Sequence, residues 1–575
     1  MKQVGSMPLR VQAWRARLVL ALLLLWLLAL LGRAAFLQGW NNEFLRQKGD
    51  ARYSRVIEIS ATRGMITDRW GEPLAISTPV ESVCAIADEV EMAPAMRAKL
   101  ARALDMDEKE LHQKLAKRQG FVYLKRQLPP EVAAGVMSLK IPGVFLQREY
   151  RRYYPAGEVM AHVLGFTGAD DIGQEGVELA YQDWLVGTPG SKRVIKDNHG
   201  DIIEDVESIK APHQGHDLEL SIDRKIQYLA YRELKTAVEQ NRAKAGSIVV
   251  LDAKTGEVLA MANQPSYNPN NRIDLTGSKT RNRAITDLYE PGSTMKPFAV
   301  GTALEIGLVT PDTVIQTAPG TLQIGPATIH DAEREGALTV TQVIQKSSNV
   351  GVSKIILQIK PEVYWNYLRA SGFGSTPGLN FPGEATGKVR PYKTWRPIEE
   401  ATMAFGHGIS VSLLQMARAY MVFTNNGEIK PVTLVKDRAA VPGKRVFSAE
   451  VANEVKSMLE KVVLPGGTAL RAQVPSYRVA GKTGTAHKVD PSGGYSKDKY
   501  IASFIGFAPA SNPRLIVAVM IDEPSAGQYY GGQVAAPVFS RVMGSALRMM
   551  GVPPDAPVNN VVLPSDGAVE VPESF

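Results

Sequence analysis

Glu290-Pro291-Gly292-Ser293-Thr294-Met295-Lys296-Pro297-Phe298 is the stretch on which the reading of this chain depends. Its first three residues have the composition of a turn, and an apolar helical pattern begins just beyond, through Phe298, Val300, Ala303 and Leu304. Pro297 fits if it lies in the first helical turn, where amide hydrogens have no intrahelical acceptor. Ser293 is then expected at the helix N-terminus. Lys296, three residues on, shares its face one turn away. A hydroxyl and an amine so spaced meet without help from distant segments.

Two further motifs follow, Ser347-Ser348-Asn349 and Lys482-Thr483-Gly484-Thr485. Each is weak alone, and the chain contains decoys: Ser496-Lys497-Asp498-Lys499, Ser266-Tyr267-Asn268 and Lys254-Thr255-Gly256. The Ser496 copy follows Gly493-Gly494-Tyr495 in a run of charges and reads as a solvated loop. Lys254-Thr255-Gly256 falls in the turn of a hairpin, Ser247 to Leu251 and back through Val258 to Ala262, where Gly256 supplies a positive φ. Lys482 instead follows the strand-like Tyr477-Arg478-Val479-Ala480-Gly481, and glycines at 481 and 484 permit close approach of a backbone or a ligand. As an ordered set, the three motifs resemble the S-x-x-K, S-x-N and K-T-G signature of penicillin-binding proteins and related serine lactamases.

The resemblance is closest to the class B penicillin-binding proteins, in particular their cell-division branch, and covers nearly the whole chain after the N-terminal apolar segment. Arg63-Gly64-Met65-Ile66-Thr67-Asp68-Arg69-Trp70-Gly71 resembles the family's N-terminal module motif. Arg152-Tyr153-Tyr154-Pro155, Ala161-His162, Gly165 and the run Gly173 to Glu178 resemble its later signatures. Asn282-Arg283-Ala284, Gly406-His407-Gly408, Tyr529-Tyr530-Gly531-Gly532 and Ala536-Pro537-Val538-Phe539 fit the catalytic part. The likeness implies an α+β multidomain chain: an N-terminal transmembrane helix, a mixed α/β pedestal of the dimerisation type, and a transpeptidase domain with an antiparallel sheet flanked by helices, serine β-lactamase-like. It implies septal cross-linking of peptidoglycan stem peptides through an acyl-enzyme on Ser293, covalent inhibition by β-lactams there, and no cofactor or metal. The implied partners are a polytopic glycosyltransferase of the FtsW type and other division proteins, with no role for nucleic acid. The first half shows no glycosyltransferase module of the class A kind; Glu204-Asp205 lacks the motif context.

The residue types suit that chemistry. A serine hydroxyl is a poor nucleophile and needs a base nearby. Lys296 serves only when neutral, and at an ordinary pKa near 10.4 about one lysine in 2,500 is neutral at pH 7. Burial and a second cation, Lys482, both push toward the neutral form. Ser347 is expected to relay protons between lysine and leaving amine, and Asn349 to orient Lys296 and the substrate amide. Lys482, Thr483, Gly484 and Thr485 suit a donor ending in a carboxylate, such as D-Ala-D-Ala. The resemblance further implies the backbone amides of Ser293 and Thr485 as oxyanion-hole donors.

With 575 residues, 45% hydrophobic and 22% charged, the chain is long enough for two or three domains and has the balance of a globular protein. A formal charge of +8 fits an envelope protein beside anionic lipid and wall polymer as well as a nucleic-acid binder, so charge decides nothing. The single cysteine, Cys84, excludes an intrachain disulfide, and its apolar neighbours point to burial. From Leu18 to Gly32 no charge interrupts an apolar run, which Arg33 ends. That part spans only ~22 Å as a helix, and extension to Leu37 with Arg33 snorkelling completes a crossing. Lys2, Arg10, Arg15 and Arg17 ahead of it favour a cytoplasmic N-terminus and an exported remainder, and Gly32-Arg33-Ala34 is a poor cleavage site. The expected divisions are 1–17 cytoplasmic, 18–37 transmembrane anchor in the inner membrane, 50–211 pedestal, 217–551 periplasmic transpeptidase domain and 552–575 extended tail. Asn41 to Asp50 reads as helix or stalk, and residues 211–216 as a linker.

Several residues also carry plainer readings. Arg63, Asp68 and Arg69 are expected in buried ion pairs or turn contacts. His213 and His216 have metal-like spacing but sit in a Pro/Gly loop without partner ligands. His407 and His487 read as packing or rim residues, and Tyr529 and Tyr530 as a pocket border or an exposed loop. Two other functions compete with transpeptidation: hydrolysis of the acyl-enzyme, as in a carboxypeptidase or lactamase, and a catalytically idle sensor or scaffold. Retention of Ser293, Lys296, Ser347, Asn349 and Lys482 argues against idleness.

Overall fold

The computed structural model describes residues 12–40, 54–116, 120–196, 202–273, 275–436, 441–490 and 493–562. The stalk expected at Asn41 to Asp50 lies outside them. Helix α1, Ala13–Ala35, continues through a wider turn at Phe36–Trp40 and buries none of its side chains against protein. At 1.5 Å per residue its 23 residues reach ~35 Å, long and apolar enough to cross a hydrocarbon core of ~30 Å.

The rest forms two compact units interleaved along the chain. One contains residues up to Ala61, Pro79–Tyr150 and Gly187–Gln214; the other contains Thr62–Thr78, Arg151–Val186 and everything from Gly215. Segments inside the expected pedestal span therefore pack with the C-terminal part. In the smaller unit, Ser54–Ile59, Gly190–Lys196 and Ile202–Lys210 form an antiparallel sheet. Glu81 to Ile86 pairs with Phe121–Leu128, and helices Pro94–Ala103, Glu108–Ala116 and Pro130–Met137 cover a core of Val83, Leu100, Leu111, Leu124 and Val136. Cys84 is buried, as its neighbours suggested.

In the larger unit, Arg63 and Arg152 both reach the fully buried carboxylate of Glu178, at 2.5 and 2.6 Å. Arg63 also donates to the carbonyl of Asp171 and to Gln182. Removing one member of such a buried set costs about 3–5 kcal/mol, because the remaining charge loses its counter-ion. Asp68 accepts the amide hydrogens of Trp70 and Glu72, closing a tight turn. His216 tilts against Trp184, which gives it a packing role.

The catalytic part of this unit is built on five antiparallel strands. In chain order they are β1 (Ala245–Asp252), β2 (Val258–Gln264), β3 (Ala480–Val489), β4 (Tyr495–Ala508) and β5 (Leu515–Asp522). Their order across the sheet is β2-β1-β5-β4-β3, so β3 is an edge. Every residue of β1, β2 and β5 is buried, which requires cover on both faces. Part of that cover is α2 (Arg224–Gln240), capped by Asp223 through the amide hydrogens of Lys225 and Ile226. The C-terminal helix Ala536–Met549 lies against α2 and the sheet, with Arg541 bonded to Glu233 at 2.6 Å.

One local expectation changes, and one segment gains detail. The Ser496 decoy lies in β4 rather than in a loop, although its side chains stay largely exposed. The first part of the tail is anchored by side chains. Asp555 accepts the amide hydrogen of Arg478 and the hydroxyl of Ser511, both at 2.7 Å, while Asn560 bonds to the backbone of Ser476 and Tyr477. A Pro/Asp/Val composition signals the lack of a helix but says nothing of side-chain anchors elsewhere.

Candidate active site

Gly292–Met295 forms a single 3₁₀ turn leading into α3 (Lys296–Glu305), with Pro297 in the first helical turn. Gly292 has φ +59°, a conformation that costs a side-chain-bearing residue about 1 kcal/mol or more. A Cβ there would also lie 3.0 Å from the carbonyl oxygen of Thr485. Two hydrogen bonds brace the turn: Thr294 Oγ1 donates to the Pro291 carbonyl at 2.7 Å, and the buried Tyr420 hydroxyl donates to the Thr294 carbonyl at 2.9 Å.

Lys296 is fully buried, and its Nζ donates to Ser293 Oγ at 2.9 Å and to Ser347 Oγ at 3.0 Å. Lys482, equally buried, donates to the same Ser347 Oγ at 3.0 Å. Four side chains from three separated motifs thus meet at one point. Ser347 sits in the left-handed region at φ +60°, a conformation uncommon for a non-glycine residue and frequent at functional sites. It lies between the helix Val340–Gln345 and α4 (Asn349–Ile356), which Ser348 caps by accepting from the Gly351 amide at 2.8 Å.

Sequence reasoning missed the residue that holds this corner. Asp331 accepts the Ser348 hydroxyl at 2.6 Å and the amide hydrogens of Asn349 at 2.5 Å and Val350 at 3.0 Å. A carboxylate at a helix N-terminus meets both unpaired amides and the favourable end of the helix dipole. No local signal marks it, since it follows a short strand and precedes a run of charges. The side-chain Nδ2 of Asn349 donates to the His330 carbonyl at 3.3 Å, while its Oδ1 is buried without a hydrogen-bond partner.

On the sheet side, Thr483 Oγ1 lies 3.2 Å from Lys482 Nζ and 2.9 Å from Thr468 Oγ1, a second residue the motifs did not flag. Thr485 Oγ1 accepts the Gly531 amide at 3.0 Å, tying β3 to the short helix Gly531–Val534 that follows Tyr529-Tyr530. A Cβ on Gly484 would fall 2.6–2.9 Å from Ser503 Oγ, the Pro291 carbonyl and Thr294, so only glycine lets the edge strand and nucleophile turn touch. Tyr500 stacks on Tyr529 at 4.3 Å, and Tyr530 tilts against Tyr529 at 4.6 Å. His487 bonds through Nδ1 to the Ser496 carbonyl at 2.8 Å. His407 packs between Phe405 and Tyr495, and burial holds its imidazole down at about 4. No cluster able to hold a metal ion occurs among the described residues.

Comparison with known proteins gives the family of the chain. Residues 246–544 match the penicillin binding protein transpeptidase domain, and residues 58–220 the penicillin-binding protein dimerisation domain. The chain is 46% identical over 551 residues to the peptidoglycan D,D-transpeptidase FtsI of Escherichia coli K12, covering 95% of this chain and 93% of that one. It is 43% identical over 534 residues to the probable peptidoglycan D,D-transpeptidase PenA of Neisseria meningitidis serogroup A, covering 92% and 91%. The solved transpeptidase domain of Burkholderia pseudomallei penicillin-binding protein 3 aligns with a TM-score of 0.55 and 50% identity, covering 59% of this chain and 98% of that domain. The chain belongs to the class B penicillin-binding proteins.

Proposed function

We propose that this chain is a septal peptidoglycan D,D-transpeptidase that cross-links stem peptides through an acyl-enzyme on Ser293. The observation that carries the reading is the placement of Lys296 Nζ within hydrogen-bond reach of both Ser293 Oγ and Ser347 Oγ. Neutral Lys296 takes the Ser293 proton as Oγ bonds to the penultimate D-alanine carbonyl carbon. Burial and the neighbouring Lys482 both disfavour charge on that amine. The backbone N–H groups of Ser293 and Thr485 receive the developing oxyanion. Ser347 passes a proton to the terminal D-alanine nitrogen, Lys296 replaces it, the C–N bond breaks and D-alanine leaves. The acceptor amine then gives up a proton along the same path and attacks the ester, and Ser293 departs with its proton restored.

Asn349, whose Oδ1 has no partner in the structure, accepts the donor peptide's N–H. Lys482, Thr483, Gly484 and Thr485 bind the donor's terminal carboxylate beside the edge strand. β-Lactams acylate Ser293 by the same attack. Basic residues before α1 and the apolar length of that helix support a single pass through the inner membrane, cytoplasmic N-terminus and periplasmic catalytic part. An FtsW-type glycosyltransferase and other division proteins are the proposed partners.

The test supplies a stem peptide ending in D-Ala-D-Ala together with an acceptor amine and follows both products. Release of D-alanine with a new donor–acceptor amide is expected. Release with only a free acid indicates a carboxypeptidase, and no turnover with intact β-lactam labelling indicates a sensor; either outcome refutes transpeptidation.

A further inference from the structure

Three residues before the nucleophile, the half-buried carboxylate of Glu290 gathers three segments. Its Oε1 accepts the Gly408 amide hydrogen at 2.8 Å, and the Tyr495 hydroxyl donates to Oε2 at 2.9 Å, with Oε1 at 3.1 Å. Next to it, Tyr289 exchanges two backbone hydrogen bonds with Val411, each 3.0 Å. Gly406 presses on the backbone of Gly292 so closely that a Cβ would collide with it. The loop from Phe405 to Val411 is therefore moulded onto the segment that delivers Ser293.

Tyr495 comes from elsewhere. It starts the β4 side of an arm formed where β3 and β4 run beyond the sheet, and its ring leans on His407 at 5.7 Å. The same hairpin carries Thr485 at its base, beside Gly292. Among the described residues of the arm from Val489 to Lys499 most side chains are exposed, so the contacts of Tyr495 weigh heavily in its placement. Glu290 joins the arm, the Gly406-His407-Gly408 loop and the nucleophile turn through one carboxylate.

We propose that Glu290 is a positioning residue for acylation, holding the β3–β4 arm through Tyr495 and thereby setting the approach of the Thr485 backbone to Ser293. It touches neither of the reacting atoms. A misplacement of about 1 Å in such a constellation costs up to roughly a hundredfold in rate, so a partial loosening is expected to cost roughly tenfold. This inference rests on the proposed acyl-enzyme on Ser293 and asks what governs its rate of formation.

The test is stopped-flow acylation by a fluorescent penicillin, separating the limiting acylation rate from the dissociation constant of the initial complex. Tyr495→Phe keeps the ring on His407 and removes only the hydroxyl, and at this half-exposed site the melting temperature is expected to stay unchanged. It is expected to lower the limiting rate by roughly tenfold with little change in the initial complex. Glu290→Gln is expected to do the same, and the double variant to be no slower than the slower single, because both break one link. Wild-type acylation in Tyr495→Phe, a loss confined to the initial complex, or multiplicative losses in the double variant would each overturn the proposal. If Glu290→Gln fails to fold, Tyr495→Phe alone decides. Ser293→Ala serves as the control: label retained there overturns the acyl-enzyme reading, whereas a silent Ser293→Ala beside a normal Tyr495→Phe overturns only the role of Glu290.

Discussion

Lys296 Nζ lies 2.9 Å from Ser293 Oγ, and one helical turn supplies the whole of that relationship. Tertiary structure adds burial and a shared hydroxyl, Ser347, which a second lysine also reaches. A base removed from this arrangement costs typically ~10²–10⁴ in rate. Lys296→Ala is therefore expected to slow β-lactam acylation by about that factor while still giving a cooperative unfolding transition. Acylation within about threefold of wild type would remove Lys296 from the role of base, since general bases contribute far more.

Asp331 gives a different signature. It touches no motif hydroxyl except that of Ser348, yet it fixes the start of α4 and with it Ser347 and Asn349. Asp331→Ala loses a helix cap, expected to cost about 1–2 kcal/mol in denaturant unfolding. The acylation rate, compared in the same variant, is expected to fall by about tenfold, because the displaced groups act in the transition state. A stability loss with unchanged acylation would show that the cap only stabilises the helix.

How much of this could be read from the sequence follows from how far each contact reaches. The spacing of Ser293 and Lys296 is a local helical fact, so it was legible. Lys482 meets Ser347 only through the sheet, and its motif gave the residue type without the distance. Asp331 and Thr468 were invisible because their partners are set by tertiary packing and each sits in an unexceptional stretch, and Glu290, though it opens the nucleophile motif, gave no sign of its contacts with Gly408 and Tyr495. The interleaving of the two units was also hidden: a buried ion pair was expected of Arg63, but that its partner is Glu178, shared with Arg152, depends on the fold. Periodicity served best where local pattern governs, as in the hairpin expected at Ser247 to Leu251 and Val258 to Ala262 and found at Ala245–Asp252 and Val258–Gln264.

Gly484 tests how tightly the edge strand and nucleophile turn are matched. An added methyl would meet Ser503, Pro291 and Thr294, two of them on the turn that carries the nucleophile. Gly484→Ala is expected to destabilise by about 1–3 kcal/mol, the usual range for overpacking. Its acylation rate should fall by more than the melting temperature alone suggests, because the strain is relieved by moving β3 away from Ser293. Comparing melting temperature with acylation at 25 °C checks this, and parallel small losses would contradict it.

Glu400 supplies a pH dependence away from the site. Burial raises its carboxyl from 4.5 to about 7, and Oε1 has no hydrogen-bond partner. The folded state therefore holds this proton more tightly than the unfolded chain. The resulting stabilisation is complete below pH 4.5 and is lost as pH rises toward 7. Glu400→Gln removes that loss, so the variant's melting temperature relative to wild type should rise between pH 5 and pH 8, by the equivalent of about 1–3 kcal/mol. A difference independent of pH would place the ionisation elsewhere.

The most direct measurement is the mass of the intact protein after exposure to a β-lactam, followed by peptide mapping. One drug mass added to the wild-type chain, located on the peptide bearing Ser293 and missing from Ser293→Ala, is the expected result. An adduct of equal stoichiometry in the alanine variant, or one on a different peptide, would contradict the assignment of Ser293 as the nucleophile.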